Sequence, residues 1–285
     1  MELKAYLQER YTPSTASAYL RDITRFVAAH PDAARYQYRQ VMDYIGACRS
    51  KYPNACSLNR ILASVKVYYQ YLCHCELRPD HPARSIRLRD ARPRDVQLQA
   101  LFTPQELALL LHRKSRYTAL TTRNEVIMTL LVNQALHARE IASLALADVR
   151  LEQGSIYIQG SATTNARTLA LIPTQIMLLH EYIHQERPRL LRTPTDRLIL
   201  TKLGTPETGE GIHYLVSTYQ ALFPTRRLTA GTIRQSVITQ LLKEGRDVRV
   251  VQVFAGHKYP SATERYKQTQ VEELKAAVLK HHPFG

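Results

Sequence analysis

Between Arg78 and Gln99 the sequence loses both the helical and the strand periodicity. Pro79, Pro82 and Pro93 fall among Arg78, Arg84, Arg87, Arg89, Arg92 and Arg94. Prolines placed so closely remove backbone donors and stop helices, so this stretch reads as a connection. A chain interrupted in this way folds as two bodies. The division expected is a small helical domain over 1–83, a basic linker over 84–100, and a larger domain over 101–285. A chain of 285 residues is long enough for two such cores.

The first body reads as helical throughout. TPSTASAYLRDITRFVAAH starts well for a helix at Thr12-Pro13-Ser14, and Tyr19, Ile23, Phe26 and Val27 recur on one face. YRQVMDYIGACRSKY repeats the pattern with Val41, Tyr44, Ile45 and Cys48. SLNRILASVKVYYQYLCHC adds a third helix, with Asn54 and Ser57 as candidate caps. The second body opens on Thr103-Pro104-Gln105-Glu106, the spacing of a capping box with proline at the first helical position. Helices follow over Arg123–Gln134 and AREIASLAL. Two strand-like runs, Ser155–Gln159 and Thr168–Ile172, flank the polar loop GSATTNAR. Four more helical runs and a closing VEELKAAVLKHH complete the chain. The fold class expected is mainly α with a small β-hairpin or sheet.

Charge narrows the partners. Lys and Arg total 39 against 24 Asp and Glu, a formal net charge of +15, which favours polyanions such as nucleic acid. No stretch reaches the roughly 20 apolar residues that cross a bilayer, and MELKAYLQER lacks the apolar segment of a signal peptide. The expectation is a cytoplasmic, nucleoid-associated protein with no membrane partner and no small-molecule substrate. Cys48, Cys56, Cys73 and Cys75 fit reduced thiols of that compartment. Cys73, His74 and Cys75 would point apart on a helix, so neither a metal nor a cofactor is expected.

The chemistry concentrates near the C-terminus, in LTAGTIRQSVITQLLKEGRDVRVVQVFAGHKYPSATERY. Arg234 lies in a helix, a glycine turn follows at Gly245, and Ala255-Gly256-His257 precedes Tyr266 by nine residues. Upstream, ALHAREIASLALADV places Glu140, Leu144, Asp148 and Val149, and HPARSIRL leads out of the first body. In order and spacing these segments resemble the tyrosine recombinases, the family of phage integrases and Xer-type resolvases, along nearly the whole chain.

The resemblance implies a core-binding, SAM-like N-terminal domain and a catalytic C-terminal domain. It also implies an activity: Tyr266 would attack a DNA phosphate in line and form a 3′-phosphotyrosyl link. Arg234 would hold the non-bridging oxygens with its planar fork, and His257 would hydrogen-bond the phosphate and help move protons. Three family positions differ here. The first arginine of the pattern falls at His137. The leading histidine of the H-x-x-R helix falls at Gly231, and the hairpin loop carries no lysine. His137, Arg139 and Arg167 are the possible substitutes, although a two-residue offset turns Arg139 by about 200° around its helix. Losing one such arginine costs on the order of 10³–10⁵ in rate, and losing a general acid costs about 10²–10⁴.

Two readings therefore stay open. One is a site-specific recombinase or integrase cleaving through Tyr266. The other is a family member with little or no cleavage, serving as an architectural or regulatory DNA-binding protein of a mobile element. Both bind double-stranded DNA. The candidate contacts are Asn59, Arg60, Lys66, Arg84, Arg87, Arg89 and Arg92, joined by Ser64 on the polar side of its helix and by Arg94. Val271, Leu274, Val278 and Leu279 form a narrow apolar stripe. In the family, the segment after the tyrosine docks on a neighbouring protomer, which implies self-association on DNA.

Overall fold

The computed structural model describes residues 2–88, 101–111 and 120–266, and it divides into two units between Asp95 and Val96. The first unit is a bundle of helices α1 (Leu3–Arg10), α2 (Pro13–Ala29), α3 (Tyr38–Lys51) and α4 (Ala55–His74). Pro13 sits in the first turn of α2. Asn54 caps α4 by accepting the Cys56 N–H at 2.8 Å. Its core gathers Ile23 and Phe26 from α2, Val41 and Ile45 from α3, and Ile61, Val65 and Tyr69 from α4.

Three expectations change here. The charged N-terminal segment forms α1, whose Tyr6 and Leu7 are buried side by side. Ser57 lies inside α4 rather than at its cap. Ser64 is wholly buried, its hydroxyl donating to Ile61 O at 2.7 Å, so it cannot meet a ligand. Beyond α4, Ala83 and Ile86 pack into the same core. Arg78 is buried as well and donates to Ala34 O and Tyr36 O.

The second unit is built from α5 (Pro104–Leu109), α6 (Thr121–Asn133) and α7 (Ala138–Ser143), then strands β1 (Val149–Arg150), β2 (Ser155–Ile158) and β3 (Arg167–Ala170). The strands form one antiparallel sheet in chain order, with Ile156 opposite Leu169 and Ile158 opposite Arg167. Next come α8 (Pro173–Glu181), continued through a π-helical turn into α9 (Arg187–Leu190), and then α10 (Gly209–Ser217). α11 (Ala230–Lys243) and α12 (Val248–Ala255) follow, and residues 260–266 are helical. The Thr103–Glu106 capping box forms as its spacing implies. Strand β1 went unread in the sequence, being only two residues long.

A large apolar core centres on α6, with Val126, Ile127, Leu130 and Leu131 fully buried. A smaller one joins Ile238 and Leu242 of α11 to Val251, Ala255 and Tyr266. Among the described residues no helix is long and apolar enough to cross a membrane. The last apolar stripe, Val271 to Leu279, lies outside the described residues, as do Arg89, Arg92 and Arg94.

Candidate active site

Two turns fix the site's position. Gly245 takes a left-handed φ of 79° between α11 and α12, and Gly256 takes 69° at the end of α12. That second turn lets the His257 N–H reach back to Gln252 O at 3.0 Å and ends the helix as a glycine cap should. It also brings the chain close to the hairpin. Asn165 N–H donates to Gly256 O at 2.8 Å, and Thr164 bridges to His257. The loop between β2 and β3 is thus pinned beside the histidine.

Arg234 projects from α11 and is 3% exposed. Its Nη1 donates to Ala135 O at 2.6 Å and its Nη2 to Ala255 O at 2.5 Å. Neither Glu244 nor Asp247 pairs with it: Gln240 donates to Glu244, and Asp247 caps α12. Burial lowers its pKa to about 10, aided by the Arg167 charge and opposed more strongly by Glu140, so the guanidinium stays charged near neutrality.

Arg167, the first residue of β3, is also buried, but its partners differ. Nη1 and Nη2 fork onto Glu140 at 2.8 and 3.0 Å, while Nε donates to Phe254 O at 2.8 Å. Burial works to raise the Glu140 carboxyl. The Arg167 hydrogen bonds and charge, with the His137 N–H at 2.9 Å, outweigh it and hold the group below the usual carboxylate range.

His137 caps the start of α7, its side chain exposed at the surface. Crowding by protein around the ring, then the Arg234 charge, push its pKa down to about 4 against a partial opposing pull from Glu140. His257 responds in the same way and to about the same value, for burial first and Arg234 second. Its Nδ1 lies 2.8 Å from Thr263 Oγ1. Tyr266 stacks on the His257 ring at 6.2 Å between centroids and 8° between planes. Burial raises the Tyr266 phenol, with Arg234 and Arg265 opposing.

The structure therefore brings Arg234, His257, Tyr266, His137 and Arg167 into one electrostatic cluster. Arg139 is not among them, because it lies against Gly209, whose added Cβ would sit 3.1 Å from Arg139 Cγ. No lysine enters from the hairpin loop, residues 159–166. Two buried guanidiniums face one buried carboxylate, which leaves one net positive charge beneath the surface.

Thr263 was missed in the sequence. It is fully buried and three residues before Tyr266, which places the two on one helix face; that spacing was the available signal. In the first unit, Arg84 and Arg87 are exposed, and Asn59 is half-buried. Arg60 is paired with buried Asp22, and Lys66 donates to Arg84 O at 3.4 Å.

Comparison with known proteins agrees with this layout. A model of the phage integrase family matches residues 101–273, and one of the phage integrase N-terminal SAM-like domain matches residues 2–76. Tyrosine recombinase XerC of Lactobacillus leichmannii is 28% identical over 288 residues, covering 97% of this chain and 95% of the relative. XerD of Proteus mirabilis is 27% identical over 237 residues, covering 81% and 74%. Among solved structures, XerH recombinase bound to a palindromic difH substrate in a post-cleavage complex superposes with a TM-score of 0.74. That match has 18% identity and covers 94% of this chain and 80% of XerH. A lambda integrase dimer bound to a core site gives a TM-score of 0.68 at 13% identity, covering 92% of each chain. At those identities the structural likeness speaks to the fold, and the sequence matches speak to descent. The chain is a member of the phage integrase family of tyrosine recombinases, with an Xer-like two-domain layout.

Proposed function

We propose that this protein binds double-stranded DNA and cleaves it site-specifically through Tyr266, at a rate held down by a rebuilt phosphate site. The observation that carries the reading is Arg234. It is buried, hydrogen-bonded to two backbone carbonyls and paired with no carboxylate among the described residues. A buried charge of that kind calls for an anion, and Tyr266 and His257 stand beside it. A DNA phosphodiester supplies the missing charge.

In this mechanism the Tyr266 oxygen bonds to phosphorus as the bond to the 5′ oxygen breaks. Neutral His257 is able to take the phenol proton, its ring held by Thr263 and by the parallel tyrosine. Burial, with the Arg234 and Arg167 charges, keeps His137 neutral in the free protein; the bound phosphate offsets those charges, so His137 gains a proton and donates to the departing oxygen. The link conserves the bond energy, so a second strand's hydroxyl reverses the step without ATP.

A specific observation favours the second reading, an architectural protein without cleavage: Arg167 is spent on Glu140, and the loop offers no lysine. The discriminating experiment uses a duplex selected for binding from a random pool and nicked near the bound site. A covalent adduct with the wild type that disappears in Tyr266→Phe supports cleavage. Intact binding with no adduct supports the architectural role.

The DNA contacts belong to the same proposal. Asn59, Arg60, Lys66, Arg84, Arg87, Arg89 and Arg92 are assigned to the duplex, and the protein is assigned to the cytoplasm. If roughly six phosphates are neutralised, affinity falls with log salt at a slope near about −5. A flat response sinks the assignment. Self-association on DNA is assigned to the stripe from Val271 to Leu279. Deleting residues 270–285 then removes higher complexes and spares binding to a single site.

A further inference from the structure

A pair of imidazoles stands apart from the cluster around Arg234. Where α8 runs into its π-helical turn, the stretch HEYIH places His180 and His184 four residues apart. Residues at that spacing share a helix face. Both histidines are exposed, and their rings meet, 4.5 Å apart between centroids and tilted by 46°.

The backbone that carries them is firmly held. The π-helical turn, Tyr182–Glu186, begins between the two histidines, and such turns recur at functional sites. Tyr182 is wholly buried, its hydroxyl donating to Leu198 O at 3.1 Å and accepting the Leu200 N–H at 3.2 Å. Arg187, also buried, donates to Thr195 O and Arg197 O at 2.7 Å each. Anchors on the inner side thus present two rings on the outer side with little freedom in the backbone.

We propose that His180 and His184 form a binding site for a divalent transition-metal ion of the zinc class. Imidazole suits zinc, nickel and copper, whereas magnesium and calcium take oxygen ligands. A metal about 2.0–2.1 Å from a ring nitrogen lies about 3.2 Å from that ring's centre, so two rings sharing it at about 90–110° stand about 4.5–5.2 Å apart. The observed spacing falls at the near end of that range. Glu181 is the one charged residue between the two histidines, and a carboxylate there favours a cation. H-E-x-x-H is also the spacing by which a helix offers two histidines to zinc. Among the described residues no third His, Cys, Asp or Glu joins the pair. Water therefore completes the coordination, and the site stays open to a further donor. It needs neither DNA nor Tyr266, so it stands apart from the cleavage reading.

The test is a titration of the full chain with zinc chloride, followed by the ring resonances of its histidines. The His180 and His184 signals should move together on one saturable curve, and magnesium chloride should leave them in place. His180→Gln and His184→Gln should each weaken that curve by at least about 10–100-fold, the loss seen when even an outer-shell partner of a metal is removed. Both positions are exposed, so the variants should keep the thermal midpoint of the wild type. His74→Gln, between Cys73 and Cys75, should leave the curve unchanged. Ring signals that stay in place at saturating zinc, as they would if the thiols alone took the metal, overturn the site. So does a curve that survives His184→Gln unweakened.

Discussion

Two walls of the same site hold a buried arginine each, and they use it differently. On the α11–α12 wall, Arg234 is bonded to the carbonyls of Ala135 and Ala255. Carbonyls orient a guanidinium without cancelling its charge. On the wall made by α7 and β3, Arg167 forks onto Glu140 and also holds Phe254 O. There the charge is cancelled, and the residue ties three segments together. The contrast separates a phosphate-seeking arginine from a structural one, although both are buried in the same few ångströms of protein. Family position alone would not separate them, since both lie in segments that resemble catalytic ones.

The sharpest way to break the contrast is to remove each arginine's function in turn. Arg234→Ala should lower the rate of Tyr266 adduct formation on the order of 10³–10⁵-fold. Single-turnover kinetics on the nicked duplex measure it. A loss below tenfold would mean that Arg234 is not the phosphate ligand. Next in size is Glu140→Ala, which leaves the Arg167 guanidinium buried and unpaired. Breaking one partner of a buried pair costs about 3–5 kcal/mol, and urea denaturation should show a loss of that order. If stability is unchanged while the adduct rate collapses, Glu140 belongs to the chemistry and the division between the walls is wrong.

A smaller effect is expected at the joint between the walls. Gly256 has a left-handed backbone, and a Cβ there would overlap Arg167 Nη1 and lie 2.9 Å from its Cζ and 3.1 Å from Asn165 O. The Arg167 fork is locked, so it cannot swing aside as a surface side chain would. Gly256→Ala should cost about 1–2 kcal/mol for the backbone alone and loosen the Arg167–Glu140 pair as well. The measurable signature is lower stability together with a slower adduct rate, because His257 follows directly.

What the sequence made legible follows from range. Spacing over a few residues was readable: the capping box at Thr103, the Asn54 cap, and the ordered series Arg234, Gly245, His257, Tyr266. Contacts that cross the chain were not. Nothing near Arg167 in sequence points to Glu140, 27 positions away. Local hydrogen bonding hid other residues. Ser64 looked like a polar surface position, yet its hydroxyl is satisfied by Ile61 O within its own helix. Helix α1 escaped because its two buried residues, Tyr6 and Leu7, are adjacent and form no stripe.

The least intrusive probe of the cationic wall is pH. His137 and His257 are both lowered to about 4, below the ordinary histidine value of about 6.5. Between those values the unfolded chain binds more protons at these rings than the folded one. Unfolding free energy therefore falls as pH falls through that window and levels off below it. Glu140, held below its usual range, acts with the same sign at lower pH: its contribution is present above the ordinary carboxylate value and is lost on further acidification. The thermal midpoint should then decline steadily from about pH 7 to about pH 4.5. His257→Gln should flatten part of that decline, more than His137→Gln does, because the His137 ring is the more exposed of the two. Binding DNA should flatten it in the wild type, since a phosphate beside Arg234 lets both rings take up protons while folded. A midpoint that rises on acidification would mean that burial and the Arg234 charge do not together hold the two rings neutral in the folded protein.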